Sequence, residues 1–256
     1  MGEEELAVEF GTVASWTADA VDELGPEYAI VAGCRGSGDP ALLHWLARAC
    51  RIGPGTSFVD VGAGVGGASA WAARTYGVRP VLVEPMEEAC RSIRRMFELP
   101  AVCAAGEQLS FVDDRFDVVW CVGVLCTVHE KADLLRELRR VLTPGGSLGM
   151  MVLVAEPSLH SDVPHGNEFP REDELVGLID DAGFVLRELV EAPIDSAPTE
   201  WTQQADRVDE LLEKVHGTDE RWLAAQEQAG KMSHLLSTRQ VTRRLVHATK
   251  SVGAVS

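Results

Sequence analysis

The nine residues Val59-Asp-Val-Gly-Ala-Gly-Val-Gly-Gly67 predict the fold of this chain. Segment 56–61 reads as a short buried strand, because it is rich in β-branched and aromatic residues and ends at a cluster of glycines. Segment 68–76 follows as an alanine-rich helix with an apolar face. Strand, glycine loop and helix together form a unit that binds nucleotide-like ligands, since glycine permits a sharp turn and the helix N-terminus faces the ligand.

Strands and helices alternate around this unit. Apolar runs predict further strands at 80–84, 101–104, 116–122, 147–154 and 184–190. Helical periodicity predicts helices at 3–24, 41–50, 87–97, 131–142 and 171–182. Such alternation indicates an α/β fold with a mostly parallel sheet covered on both faces.

The stretch from 193 to 239 interrupts the alternation with two helical runs, and 240–249 then alternates as a last strand. We therefore divide the chain into an N-terminal helical cap (1–55), a ligand-binding core (56–192), a helical lid insertion (193–239), and a last core strand with its tail (240–256).

Composition excludes several classes of partner. The chain has 256 residues, with 23 Lys and Arg against 40 Asp and Glu, which gives a net charge of −17 at pH 7. This charge repels phosphate backbones and anionic membrane surfaces, so we expect neither nucleic acid nor membrane as a partner. A small molecule is expected instead. Oligomeric state is left open, with a homodimer as one option.

Cysteine usage and the N-terminus point to the cytoplasm. The six cysteines form no C-x-x-C pair and show no zinc spacing with histidine, so no metal site is predicted. The first residues are acidic where a secretory signal would be basic, and no apolar run is long enough to span a bilayer. We expect a reduced, cytoplasmic protein.

Two carboxylates flank the glycine loop. Asp60 stands two residues before the first glycine, where a carboxylate would repel a pyrophosphate but attract a cationic ligand. Glu84 ends the second predicted strand about 20 residues after Gly62, the position that accepts hydrogen bonds from ribose hydroxyls. The spacing of Gly62, Gly64 and Gly67 alone also fits dinucleotide enzymes, so the two acids decide between the ligands.

Together these motifs resemble the class I S-adenosyl-L-methionine (SAM)-dependent methyltransferases, in the small-molecule branch of quinone-biosynthesis and natural-product tailoring enzymes. The resemblance covers 56–154, including Phe116-Asp-Val-Val-Trp-Cys and the run L-L-R-E-L-R-R-V-L-T-P-G-G-S-L from Leu134 to Leu148. It implies a Rossmann-like seven-stranded sheet of order 3-2-1-4-5-7-6 with an antiparallel seventh strand. It also implies SAM as cofactor and S-adenosyl-L-homocysteine as product.

The resemblance implies a set of cofactor contacts from the loop and the strand ends. One departure is that Ala105 occupies the place where the family often has an aspartate near the adenine, which leaves Glu107, Gln108 or the backbone for that contact. The implied cofactor residues are Asp60, Gly62, Ala63, Gly64, Gly66, Glu84, Pro85, Met86, Gly106, Glu107, Gln108 and Cys121.

Catalytic and acceptor residues are expected near the end of the fourth strand and in the caps. His129 follows that strand and is our candidate general base, since an imidazole titrates near neutral pH. Tyr28 and Arg35 are candidates to reach the carboxylate of SAM, and a guanidinium has the chemistry for that contact. The candidate acceptor residues are Trp16, Tyr28, His160, His165 and Trp201, for which solvated loop positions or ordinary packing are the alternative interpretations.

The leading hypothesis is a SAM-dependent methyltransferase that acts on a small molecule, of natural-product or secondary-metabolite type, by in-line transfer to O, N or C. A SAM-binding enzyme that catalyses cyclisation or elimination without methyl transfer is the alternative. A non-catalytic SAM-binding protein is a third reading, supported by Ala105 alone. A dinucleotide oxidoreductase is disfavoured by Asp60. The identity of the acceptor depends on pocket shape, which sequence patterns do not resolve.

Overall fold

The structure, a computed structural model, describes residues 3–35, 38–160, 162–192 and 197–252, without the side chains of 3–9. Its strands are β1 Ser57–Val61, β2 Arg79–Glu84, β3 Ala101–Cys103, β4 Phe116–Val122, β5 Leu142–Ala155, β6 Phe184–Glu191 and β7 Val241–Lys250. Its helices are α1 Glu3–Leu24, α2 Ala29–Gly33, α3 Pro40–Ala49, α4 Gly67–Tyr76, α5 Glu87–Phe97, α6 Lys131–Val141, α7 Glu172–Asp181, α8 Thr199–His216 and α9 Glu220–Ser237.

The seven described strands form one sheet of order β3-β2-β1-β4-β5-β7-β6. Strands β1 to β5 pair in parallel, whereas β7 runs antiparallel to both of its neighbours. The predicted fold class, strand order and direction of the last strand are confirmed. The reversal of chain order beside β1 places the ends of β1 and β4 next to each other, where α/β folds bind ligands.

Helices cover both faces of the sheet because each presents an apolar stripe. In α6 the buried residues recur at helical spacing and pack on β4 and β5: Leu134, Leu135, Leu138 and Val141. On the opposite face, the Phe58 and Trp120 rings meet edge to face with centroids 5.1 Å apart, beneath α3 and α4. Asp39 begins α3 as predicted, since its Oδ1 accepts the amides of Ala41 and Leu42 at 2.8 and 3.2 Å.

Two elements differ from the sequence prediction. Residues 143–146, predicted as a turn that ends the preceding helix, belong to β5, because buried Leu142 already pairs with Phe116 and a register shift follows. Gly145, with φ of 80°, accommodates that irregularity. The short helix α2 was not predicted at all, since five residues carry too little periodicity.

Helices α8 and α9 lie between β6 and β7, as the predicted insertion requires. Residues 193–196, at the start of that predicted segment, lie outside the described residues. Among the described helices, none has the combination of length and apolar character that crossing a bilayer requires. No group of three or more His, Cys, Asp or Glu side chains in the described part of the chain could hold a metal ion.

Candidate active site

The glycine loop between β1 and α4 is closed on its inner side and open toward a cavity. Gly62 has φ of 75°, and the amides of Gly62 and Ala63 donate to the carbonyl oxygen of Val83 at 2.8 and 3.1 Å. A Cβ on Gly62 would lie 2.3 Å from Cγ2 of Val124, so a side chain does not fit there. At Gly64, with φ of 56°, an added Cβ would meet no described atom within 4 Å. The loop therefore leaves room for a ligand at Gly64.

Glu84 holds this loop in place from the end of β2. The side chain is 3% exposed, its Oε2 accepts the amide of Gly64 at 2.9 Å, and its Oε1 accepts the amide of Met86 at 3.3 Å. Burial raises the pKa of Glu84 to about 7, and the two amide hydrogen bonds oppose that rise. A ligand that donates further hydrogen bonds to this carboxylate would favour its charged form.

Asp60 lies beneath the loop and does not line the cavity. It is 1% exposed; its Oδ2 accepts the hydroxyl of Ser69 at 2.7 Å, and its Oδ1 has no hydrogen-bond partner among the described residues. Burial raises the pKa of Asp60 to about 6, against the effect of the Ser69 hydrogen bond. Two carboxylates this close to the loop favour a cationic ligand over a pyrophosphate.

The N-terminal segment touches the loop through the backbone. A Cβ on Gly67 would stand 2.2 Å from the carbonyl carbon of Gly33 and 2.4 Å from the nitrogen of Cys34. Reciprocally, a Cβ on Gly33 would stand 2.8 Å from the Cα of Gly67. Helices α2 and α4 therefore cross at two glycines, and this contact fixes where the N-terminal segment meets the ligand site.

The loop opens into a cavity of about 1580 Å³. This volume exceeds the roughly 300–1,000 Å³ typical of a single small-molecule site. One wall comes from the glycine loop and the strand ends, and the other comes from α9, β7 and Phe10 of α1. The residues that α9 contributes recur on one helical face: Ala225, Gln228, Ala229, Met232, Ser233, Leu236 and Ser237. The cavity therefore has space for a second molecule beyond a ligand at the loop.

Arg35 brings a positive charge to the cavity wall two residues after Gly33. Its Nη2 lies 2.8 Å from Oδ1 of Asp209, and its guanidinium carbon lies 5.7 Å from the ring centroid of Trp222. Burial lowers the pKa of Arg35, and Asp209 opposes that effect. The insertion thus holds this arginine through one ion pair and one aromatic face.

His129 lies at the cavity wall in a cluster with two charged residues. Its Nδ1 is 3.0 Å from Oε1 of Glu168, whose Oε2 accepts Nζ of Lys131 at 3.1 Å. The side chain of His129 is 61% exposed, whereas that of Lys131 is 12% exposed. The hydrogen bond from Lys131 lowers the pKa of Glu168, so the carboxylate that contacts the imidazole is anionic at neutral pH.

The structure brings most of the predicted cofactor residues together at the cavity. Those that line it are Gly62, Ala63, Gly64, Glu84, Pro85, Met86, Gly106 and Glu107. Four others do not line it. Asp60 and Gly66 lie behind the loop, where a Cβ on Gly66 would meet Leu82 at 2.9 Å, and Gln108 is exposed to solvent. Cys121 is fully buried, and burial raises its pKa. Successive side chains of a strand point to opposite faces, so Cys121 faces the core on the α6 side while its neighbour Val122 lines the cavity.

None of the five predicted acceptor residues lines the cavity. Trp16 stacks on His216 with centroids 3.9 Å apart and packs with Tyr28 in a cluster between α1 and α8. Trp201 packs against the main core. The backbone amides of His160 and His165 are bound to Gln240 and Gln228 side chains at 3.2 and 2.9 Å. For the three aromatic residues, the packing alternative describes the observed contacts.

The prediction of a helical lid at 193–239 covers α9 but names none of its cavity-lining residues, and it does not include Thr242 and Arg243 of β7. The signal in α9 is the recurrence of small and apolar residues at spacings of three and four. That spacing alone does not say whether the helical face meets the core or a cavity.

Comparison with known proteins agrees with this geometry. Residues 59–150 match the family described as a methyltransferase domain. The chain is 39% identical over 104 residues to 2-methyl-6-phytyl-1,4-hydroquinone methyltransferase of Synechocystis sp.. That match covers 37% of this chain and 31% of the other protein. The chain is also 26% identical over 175 residues to methyltransferase GfsG of Streptomyces halstedii. That match covers 62% of this chain and 63% of the other protein. The matches span less than two thirds of either relative.

A solved structure shares the architecture over most of the chain. The [4+2]-cyclase SpnF superimposes with a TM-score of 0.68 at 21% identity, which covers 85% of this chain and 84% of that one. At this identity the likeness establishes the fold alone.

Proposed function

We propose that this chain transfers the methyl group of SAM to a small-molecule acceptor, because residues 59–150 match the family described as a methyltransferase domain. The observation that carries the proposal is the glycine loop, steadied by buried Glu84, that opens at Gly64 into a cavity of about 1580 Å³. One part of this volume suits an adenosyl ligand, and the remainder suits an acceptor.

The residues at the loop fit the cofactor in shape and charge. Glu84 would accept hydrogen bonds from the ribose hydroxyls, and Gly64 provides the open surface beside it. Gly106 and Glu107 at the same wall replace the aspartate that is missing at Ala105 for the adenine contact. Arg35 would pair with the carboxylate of the cofactor.

When bound, SAM supplies a methyl group activated by its sulfonium. The chain's own residues have to hold the acceptor in line and exclude water, and α9 together with Phe10 forms the wall that would do so. His129 would accept the acceptor proton at Nε2, since its Nδ1 faces Glu168 at 3.0 Å. The anionic Glu168 then stabilises the imidazolium that forms. This pair suits an acceptor that must lose a proton, with a hydroxyl group as our first choice.

Two measurements test the proposal. Calorimetry with S-adenosyl-L-homocysteine should give saturable binding. Absence of binding would refute both enzyme hypotheses, methyl transfer and SAM-dependent cyclisation or elimination. Mass analysis of hydroxylated quinols and phenols after incubation with SAM should show a gain of one methyl group. If an acceptor were instead converted with no gain in mass, cyclisation or elimination would replace methyl transfer as the function.

The variant His129→Ala tests the base. We expect a fall in kcat of roughly 10²–10⁴-fold, the usual contribution of a general base, with unchanged S-adenosyl-L-homocysteine affinity. His234→Ala in α9 is the matched control, because His234 does not line the cavity. Equal rates in the wild type and His129→Ala would remove His129 from the mechanism.

A further inference from the structure

One set of cavity-lining residues comes from β5, α9, β7 and the residue after β6. We call the space beside them the distal chamber and define it by Leu153, Ala192, Met232, Leu236, Val241 and Arg243. Leu153, Ala192 and Val241 are 8%, 5% and 0% exposed, and Met232 and Leu236 pack against the same core cluster. Apart from Arg243, the residues of this definition are apolar.

Arg243 extends from the face of β7 that carries this apolar wall. Its neighbours on that face, Val241 and Leu245, are buried in the main core, and its partner on β5 is Leu153. Arg243 is half-buried, and it lines both the cavity and a small pocket of about 230 Å³. A permanent positive charge therefore stands among apolar side chains.

Arg243 is not matched by a carboxylate in the structure. Within the described residues it takes part in no ion pair, although the chain carries an excess of acidic groups. The adjacent Arg244 faces the other side of the sheet, with Glu156, Glu172 and Glu191 at 3.3, 2.6 and 3.6 Å.

Other charged groups near the chamber are already engaged. Arg239 at the rim pairs with Glu191 at 2.8 Å. Asp39 lines the small pocket together with Arg243, but its Oδ1 accepts two amides at the start of α3. Arg243 is thus the cavity arginine that retains its full capacity for a bidentate partner among the described residues.

Among the described residues, Arg243 has no carboxylate to neutralise its charge, so an anionic ligand would gain a charge-assisted hydrogen bond there without displacing a protein partner. We propose that the acceptor is a mainly apolar molecule that carries an oxyanion, a carboxylate or a phosphate, and that Arg243 binds this anion. The inference rests on the proposed function, because it takes the distal chamber as the acceptor site. Arg243 then determines specificity by selecting acceptors with an anionic end.

Matched ligands of one chain length test the proposal on the full chain. Nonanoate and octyl phosphate carry the anion on an octyl chain, and 1-octanol carries the same octyl chain without it. Charge-assisted hydrogen bonds lead us to expect that the wild type binds at least one anion about tenfold or more tightly than 1-octanol. The two anions distinguish a carboxylate site from a phosphate site. Equal affinity for all three would overturn the proposal without any variant.

Variants locate the anion site. Arg243→Met should abolish the preference and leave affinity for 1-octanol within about twofold, since methionine keeps the apolar stem. Arg243→Lys should retain part of the preference for the anions over 1-octanol, because lysine keeps the positive charge. Arg239→Gln is the control, because it removes the same charge from the rim at a residue that already has a partner. Loss of preference in Arg239→Gln alone, or its retention in Arg243→Met, would contradict the assignment.

A parallel titration with S-adenosyl-L-homocysteine separates this inference from the proposed function. All variants should bind it as the wild type does, which also reports that they fold. If the wild type binds S-adenosyl-L-homocysteine but does not prefer the anions, the anion site is wrong and the enzyme reading survives. If it prefers the anions but does not bind S-adenosyl-L-homocysteine, the proposed function fails and Arg243 remains an anion site.

Discussion

In the half of the cavity around the glycine loop, backbone packs directly on backbone, whereas in the half around α9 the wall consists of side chains. A Cβ on Gly67 would lie 2.2 Å from the backbone of Gly33, but a Cβ on Gly230 of α9 would meet no described atom within 4 Å. The loop half also contains two carboxylates that are 1% and 3% exposed. The comparison teaches that the half around the glycine loop tolerates little change, while the half around α9 can vary in its side chains and retain its fold.

The largest effect should come from Gly67→Ala. The added methyl group would overlap the backbone of α2, which cannot move aside without separating the N-terminal helices from the core. We expect a loss of at least about 3 kcal/mol in the free energy of unfolding, at the upper end for overpacking. Urea denaturation followed by circular dichroism measures it. Wild-type stability would show that the two halves do not differ in this way.

Asp60→Asn should change how stability depends on pH. Burial raises the pKa of Asp60 from 3.8 to about 6, so the folded state binds a proton more tightly than the unfolded state. The tighter proton binding of Asp60 contributes ~3 kcal/mol to the free energy of unfolding. This contribution is complete below pH 4 and is lost as the pH rises through about 6. Denaturation from pH 4 to 7 should therefore show a difference between wild type and variant that exposed Asp181→Asn does not reproduce.

Glu84→Gln should weaken cofactor binding by ~1–3 kcal/mol, since a charged acceptor of ribose hydroxyls is lost. In the wild type, affinity for S-adenosyl-L-homocysteine should rise as the pH passes through about 7, because the hydroxyls favour the charged carboxylate. Calorimetry in buffers of different ionisation enthalpy would detect the released proton. The variant should lose this dependence, whereas Glu87→Gln, outside the cavity wall, should keep it. Unchanged affinity for S-adenosyl-L-homocysteine in Glu84→Gln would contradict the proposal that Glu84 binds the ribose hydroxyls.

The smallest effect should come from Gly230→Ala, at an exposed position of α9 that does not line the cavity. Open space surrounds this helical position, and alanine is a better helix former than glycine. We expect a gain of up to about 1 kcal/mol in the free energy of unfolding. A loss comparable to that of Gly67→Ala would mean that α9 is packed as tightly as the loop.

Local patterns were sufficient to predict most of the fold. The apolar runs of β1 and β4 and the glycine cluster follow from residue type alone, and α5 begins and ends at the predicted residues. The start of β5 was not predictable in the same way, because the Thr143-Pro-Gly-Gly146 run has the composition of a turn. Tertiary pairing of Leu142 with Phe116 overrides that local preference.

The site was predictable where the backbone forms it and not where side chains from distant segments meet. Gly62, Gly64 and Glu84 stand at fixed spacings in the continuous run β1, loop, α4 and β2, and all three line the cavity. Trp16 and Trp201 were chosen by residue type, and both pack elsewhere. The contact of His129 with Glu168 joins residues 39 positions apart, which periodicity cannot anticipate.

The crossing of Gly33 and Gly67 bears on protein engineering. The N-terminal helices are not an interchangeable module, because their junction with the core depends on a matched pair of residues in two separate segments. A chimera with its crossover near residue 55 would need glycine at both positions and the same crossing of α2 over α4. Gly230 of α9 makes no such contact, so under the proposed function an exchange of α8 and α9 is the better route to a new acceptor range.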